Sequence, residues 1–126
     1  MAERRNTIQL DAVRNAIQSA GRPLSIDEIL TEASRKVETI GLRTVYRIVR
    51  KLEEEDEITA VTLPSHPDRY EPSEVANKHH HHFHCTSCDR LFDVDGCPGR
   101  LKSLLPDGFV LTEHELTLKG RCAACA

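Results

Sequence analysis

Two pairs of cysteines, Cys85 with Cys88 and Cys122 with Cys125, each in CxxC spacing and with residues 89–121 between them, limit the possible folds of this chain more than any other feature. Four thiolates complete a tetrahedral zinc site and leave no open position for chemistry, so the role such a site predicts is structural. It would tie the end of the chain to an early strand and close a loop whose entropy a small core could not offset. A redox CxxC or a set of unpaired buried thiols is the alternative; two pairs instead of one favour metal. The fifth cysteine, Cys97, is read first as a small buried hydrophobe and only second as a ligand. An odd count of five in a chain without an apolar run long enough to span a bilayer, and without the apolar core of a signal peptide, sets the expectation of a cytoplasmic protein with reduced thiols, no membrane partner and no organic cofactor.

With 126 residues the chain has room for one compact domain or two very small ones. Leu10, Val13, Ile17 and Ala20 recur at helical spacing and predict a first helix from about Thr7 to Ala20, ended by Gly21 and Pro23. Ser25, followed three residues later by Glu28, is a capping box that opens a second helix with Ile26, Ile29, Leu30 and Ala33 inward. A third runs from about Leu42 into the acidic stretch, with Leu42, Val45, Val49 and Leu52 as its apolar stripe. Ile58 to Leu63 and Asp68 to Glu71, around Pro64, Ser65, His66 and Pro67, read as a hairpin. Three helices and a hairpin predict a winged helix over residues 1–72. Pro72 to Lys78 lacks periodicity, so 73–78 is read as a hinge. Over 79–126, two short strands are expected around Phe83 and around Leu91, Phe92 and Val94, then a short helix at Leu101, Leu104 and Leu105. A long strand follows, with Val110, Thr112, His114, Leu116 and Leu118 on one side. The fold class is thus α+β, a winged helix followed by a small α/β domain too poor in large apolar side chains to stand without a metal and a partner chain.

The histidine run His79 to His82, followed by His84, lies in mid-chain, where an expression tag would not sit. On a strand, alternate residues face the same way, so His80 and His82 can share one site while His79 and His81 face another. Glu71, Asp93 and His114 are the available partners, and nitrogen-rich ligation suits zinc, iron, nickel or copper better than magnesium or calcium. The third predicted helix carries Arg43, Tyr46, Arg47 and Arg50 on a face apart from its apolar stripe. Arginines so placed can contact phosphates or guanine edges, although a solvated basic face is the plainer explanation. A net charge of −3 does not by itself indicate a nucleic-acid partner, but a docking face needs only a local cluster. The acidic run Glu53 to Glu57 must then point away from DNA.

TVYR (Thr44 to Arg47), RYE (Arg69 to Glu71), HHHHFHCTSC (His79 to Cys88) and a histidine shortly before a closing CxxC together resemble the ferric uptake regulator family, and the likeness covers nearly the whole chain. The resemblance implies a winged-helix reading head joined to an α/β dimerisation domain, in a homodimer that binds double-stranded operator DNA when a divalent metal fixes the hinge. It implies Cys85, Cys88, Cys122 and Cys125 as structural zinc ligands. Glu71, His80 and His82 correspond to the hinge-side sensing site, His79, His81 and His114 to a second site, and Asp93 to a carboxylate used by some members. Thr44, Tyr46 and Arg47 fall in the DNA-reading segment, flanked by Arg43 and Arg50, and Arg14 matches a backbone-contacting position. The chain departs from the family where Arg22-Pro23 replaces a frequent sensing histidine, and where the carboxylate usually found shortly before the domain's helix has no clear counterpart near Pro98 to Arg100; His66, Cys97 or water are the candidates to fill these gaps. The expected function is a metal-dependent repressor with a structural Zn2+ and a regulatory Zn2+ or Fe2+, zinc being favoured by the all-histidine run. An iron- or manganese-based peroxide sensor is the alternative within the family. A zinc metalloenzyme built on His80, His82 and Glu71, and a protein-binding zinc ribbon, are the alternatives outside it.

Overall fold

The computed structural model describes residues 2–78, 80–97 and 99–126, and the chain divides into two compact units, 1–78 and 79–126. In the first, α1 (Ala2–Ser19), α2 (Ile26–Ser34) and α3 (Leu42–Glu54) surround one core. That core is built from Val13 and Ile17 of α1, Ile29 and Ala33 of α2, Val45, Ile48, Val49 and Leu52 of α3, and Leu24 and Ile58 of the adjoining strands. The capping box forms as its residues predict: Ser25 Oγ accepts the Glu28 N–H at 3.3 Å while Glu28 Oε1 accepts the Ser25 N–H at 3.1 Å. Arg22 reinforces this corner through a 2.6 Å ion pair with Glu28.

The hairpin consists of β2 (Ile58–Val61) and β3 (Arg69–Pro72), antiparallel with Ile58 opposite Pro72. A two-residue strand, β1 (Leu24–Ser25), pairs with the other edge of β3 and gives the sheet order β1-β3-β2. The unit is therefore a winged helix with a three-stranded wing sheet. So short a first strand has no alternation to betray it in the sequence.

Four expectations need correction here. Helix α1 begins well before Thr7, because the polar segment ahead of it contains good helix formers that need no buried face. Leu42, counted in the apolar stripe, is 43% exposed at the first turn of α3, and Ile48 takes a place in the core instead. Within the stretch Pro72–Lys78, read as structureless, Ser73–Ala76 form the single helical turn α4, which packs on β2 and β3. The Ser73 N–H bonds to the Glu57 carbonyl at 3.0 Å. The fourth correction concerns the second unit. The long strand expected along Val110 to Leu118 reduces to β6 (Thr117–Gly120), and residues 109–116 have no regular secondary structure. A strand needs a hydrogen-bonding neighbour along its whole length, and within this chain the described residues supply one only from residue 116 onward.

The rest of the second unit follows expectation. β4 (His81–Cys85) lies at the centre of a sheet of order β5-β4-β6, antiparallel to β5 (Leu91–Val94) and parallel to β6. Leu101–Leu104 form a 3-10 turn. Among the described apolar residues of this unit only Cys85 and Leu91 are fully buried, while Leu104, Phe109, Val110 and Leu118 are exposed.

Candidate metal centres

The four-cysteine centre is assembled by the register of the sheet. β6 runs parallel to β4 with Gly120 beside Cys85, so Cys122, two residues on, arrives next to the end of β4. The junction is locked by Gly120, whose carbonyl accepts both the Thr86 N–H at 2.8 Å and the Thr86 hydroxyl at 3.1 Å. Gly120 is needed for close approach, since a Cβ there would come within 3.2 Å of the Phe83 ring. Cys88 returns to the site through a turn closed by the Asp89 N–H on the Cys85 carbonyl at 2.9 Å. Asp89 adopts φ 63°, a left-handed conformation that aspartate tolerates.

The sulfur atoms of Cys85, Cys88, Cys122 and Cys125 lie within 4.8 Å of one another, and Cys88 Sγ stands 3.8 Å from Cys122 Sγ. Sulfurs about 2.3 Å from a tetrahedral zinc are separated by about 3.8 Å, so the observed spacing fits that ion. The electrostatics fit as well. The backbone N–H groups of Cys88 and Cys122 donate to Cys85 Sγ at 3.4 and 3.3 Å and pull its pKa down to about 6. Contact with the Cys122 side chain pushes Cys125 up to about 11, since thiols crowded together resist ionising without a cation.

A second cluster lies at the start of β4. His80 Nε2 and His82 Nε2 stand 3.2 and 3.3 Å from the same oxygen, Asp93 Oδ1, and their rings meet edge to face with centroids 4.9 Å apart. Asp93 reaches them because it is the cross-strand neighbour of His82 in β5. All three side chains are largely shielded from solvent. Two imidazoles and a carboxylate converging in this way offer a nitrogen-rich set with one hard ligand. His81, in between, turns to the opposite side, as strand alternation requires. It is buried, its ring centroid lies 5.0 Å from that of His114, and the Leu116 N–H donates to its Nδ1 at 3.3 Å. Cys97 Sγ lies 3.0 Å from His114 Nε2, which makes a third group of His81, Cys97 and His114. His79 lies outside the described residues. Glu71 is buried on β3 of the first unit, where it pairs with Thr59.

Sequence reasoning left Cys97 undecided because nothing local ties it to His114. It also gave His84 no role, although His84 Nε2 lies 2.7 Å from Asp89 Oδ1 beside the cysteine centre; the short spacing of these residues was the available signal.

On α3, Arg43, Tyr46, Arg47 and Arg50 are exposed and Thr44 half-buried, opposite the buried Val45, Ile48, Val49 and Leu52. Tyr46 is 54% exposed, a large exposure for an aromatic ring in so small a unit. Arg14 is differently placed: its guanidinium holds Glu57 at 2.8 and 3.0 Å and Asp11 at 3.3 Å. It could reach a phosphate only by giving up these carboxylates.

The model of the ferric uptake regulator family matches residues 2–119. The chain belongs to the ferric uptake regulator family. Members of that family are regulators, not enzymes. The chain is 34% identical over 90 residues to a ferric uptake regulation protein of Campylobacter jejuni, a match covering 68% of this chain and 55% of that one; it thus spans about half the length of that relative. Among solved structures it is similar to the Helicobacter pylori ferric uptake regulator, which has three functional metal binding sites, with a TM-score of 0.68 and 26% identity over 93% of this chain and 79% of that one. It shares the fold of a zinc-bound manganese uptake regulator, with a TM-score of 0.77 and 21% identity over 90% of this chain and 87% of that one. No helix among the described residues is long and apolar enough to cross a membrane.

Proposed function

We propose that this family member is a metal-dependent transcriptional repressor that binds operator DNA as a homodimer, with residues 1–72 as reading head, 73–78 as hinge and 79–126 as the dimerisation and metal-binding domain. The observation that carries the reading is the convergence of His80 and His82 on Asp93, in a chain whose α3 presents Tyr46 and Arg47 to solvent. In this reading the four cysteines hold a structural zinc, and His80, His82 and Asp93 take the regulatory ion. Glu71, which the resemblance assigns to the sensing set, is buried on the wing strand of the first unit. Metal that favours the DNA-competent arrangement shifts the population toward it. Zinc is the favoured signal and iron(II) the next, because two imidazoles dominate the set while the carboxylate keeps it acceptable to a harder ion. Arg43, Thr44, Tyr46, Arg47 and Arg50 meet the DNA. The exposed Phe109, Val110 and Leu118, together with a 109–115 segment that finds no strand partner among the described residues, support pairing with a second copy.

The test uses duplexes selected from a random pool by the zinc-loaded full chain, with affinity read by fluorescence anisotropy with and without added zinc or iron(II). The parent should tighten on added metal. The double variant His80→Ala, His82→Ala should keep one cysteine-bound zinc and its dimeric state yet lose the metal response. A double variant that still tightens as the parent does would remove these histidines from the sensor.

A further inference from the structure

We propose that His84 and Asp89 act as a positioning clamp on the first cysteine pair: the contact between imidazole and carboxylate holds the turn from Cys85 to Cys88 in the shape that presents both thiolates to one ion. The clamp rests on the reading of the four cysteines as zinc ligands. His84 stands immediately before Cys85 and Asp89 immediately after Cys88, so the two side chains bracket the turn, and His84 Nε2 lies 2.7 Å from Asp89 Oδ1. An ionised carboxylate can only accept, so Nε2 carries the proton and donates it. The two ends are held differently. His84 is paired on both sides, opposite Leu91 in β5 and Lys119 in β6, and its side chain is only 4% exposed. Asp89 lies outside regular structure, with its side chain 58% exposed. The imidazole is the fixed point, and the carboxylate ties the turn to it.

The backbone supports the same conclusion. Asp89 adopts φ 63°, a conformation that aspartate tolerates but in which glycine would be unstrained. A residue serving the shape of the turn alone would be glycine, whereas aspartate adds a side chain that reaches His84. Main-chain bonds also close the turn, from the Asp89 N–H to the Cys85 carbonyl at 2.9 Å and from the Cys85 N–H to the Arg90 carbonyl at 2.9 Å, but these do not depend on side-chain identity. The side-chain tie matters most for Cys88, which is exposed, so that packing does little to hold its sulfur. With the turn already closed, zinc does not have to order it, and a thiolate that lets go of the ion stays within reach to rebind. The clamp therefore slows the loss of zinc as well as tightening its binding.

The test measures zinc retention by the full chain under anaerobic, reducing conditions. Protein carrying one equivalent of zinc is mixed with an excess of a high-affinity chromophoric chelator, and the transfer rate and competitive affinity are read for the parent and each variant. Asp89→Gly relaxes the backbone but removes the carboxylate. The clamp predicts zinc held about tenfold more weakly and released faster, whereas a role in turn shape alone predicts zinc held at least as tightly. Asp89→Asn keeps an acceptor oxygen and tolerates the left-handed backbone, so it should recover most of the loss. His84→Val should match Asp89→Gly, and the double variant should be no worse than either alone, because one interaction cannot be lost twice. Asp89 is exposed, so its variants should fold, and hydrogen-exchange protection of β4 to β6 in the zinc-saturated protein verifies this. Zinc held unchanged or more tightly in Asp89→Gly, no recovery in Asp89→Asn, or losses that simply add in the double variant would each overturn the clamp and leave the four-cysteine reading standing. Cys122→Ser tests that reading itself: if it retains zinc as the parent does, the ion lies elsewhere, and the clamp falls with the four-cysteine centre.

Discussion

Removing zinc from the four-cysteine centre should unfold the second unit and spare the first. Each unit's core sets the size of the effect. The winged-helix unit buries a contiguous apolar cluster drawn from all three of its long helices and its strands. Among its described residues the second unit fully buries one large aliphatic side chain, Leu91, together with the sulfur of Cys85. A fully buried leucine contributes about 1.5–3 kcal/mol, whereas the apparent binding free energy of a structural zinc is about 10–16 kcal/mol at neutral pH. Chelation therefore removes the greater part of what stabilises this unit, since among the described residues of β4, β5 and β6 the apolar side chains other than Leu91 and Cys85 are at best half-buried. Hydrogen exchange read by mass spectrometry on reduced protein, before and after treatment with a high-affinity zinc chelator, resolves the two units. Amides of β4 to β6 should lose protection by orders of magnitude, while those of α1 to α3 change little. Heating should give one transition that moves down on chelation and one that does not. Protection retained across β4 to β6 after the zinc has been shown to leave would refute the claim that the ion, and not the sheet, holds this unit together.

Arg47→Ala should cost ~1–3 kcal/mol of specific binding if the side chain reads a base, and a smaller, sequence-independent loss if it touches phosphate alone. Equal affinity of the variant and the parent for selected and random duplexes would take α3 out of the interface. Zinc uptake should release no more than about three protons per ion at pH 7 if the apo centre is preformed, because Cys85, held near a pKa of about 6, is already ionised there. The sign follows from the direction of the shift: a lowered pKa leaves a thiolate above about 6, and below that value the difference disappears. Calorimetry in buffers of different ionisation enthalpy gives the count, and a value near four at pH 7 would mean that the thiols meet zinc with ordinary pKa values, without the two backbone N–H donors in place.

The extent to which the fold was legible in the sequence follows the range of the interaction concerned. The capping box at Ser25 and Glu28, the core spacing of α1 and α3 and the pairing of β2 with β3 are local, and each can be read from periodicity or turn residues. Strand alternation was enough to send His80 and His82 one way and His81 the other. Asp93 was legible as a candidate, but its seat opposite His82 depends on a register that only the folded sheet displays. Cys97 and His114 come together through loops without regular structure, where no period exists to be read. The missing long strand has a different origin. Val110, Thr112 and His114 do alternate, but an extended segment becomes a strand only when another backbone satisfies it.

The placement of all three ligand groups on or beside β4 has an energetic consequence. Cys85 ends the strand, His82 and His81 occupy its two sides, and His80 precedes it. β4 is held in register by β5 on one side and by β6 on the other, and β6 leads in turn into Cys122 and Cys125 of the four-cysteine cluster. An ion at His80, His82 and Asp93 therefore binds to groups whose separation is already set by the β4–β5 pairing, and it need not meet the ordering cost of that sheet. Without the cysteine-bound zinc the same ion would have to order β4 itself, with two imidazoles and a carboxylate against a cost previously met by four thiolates. On the proposed reading loading is thus hierarchical: the tetrathiolate centre fills first and exchanges slowly. The histidine cluster, weaker and dependent on a sheet that the first ion keeps folded, is then free to fill and empty with the metal supply. On that reading the protein can lose its regulatory ion without losing its fold, which a single shared site would not allow.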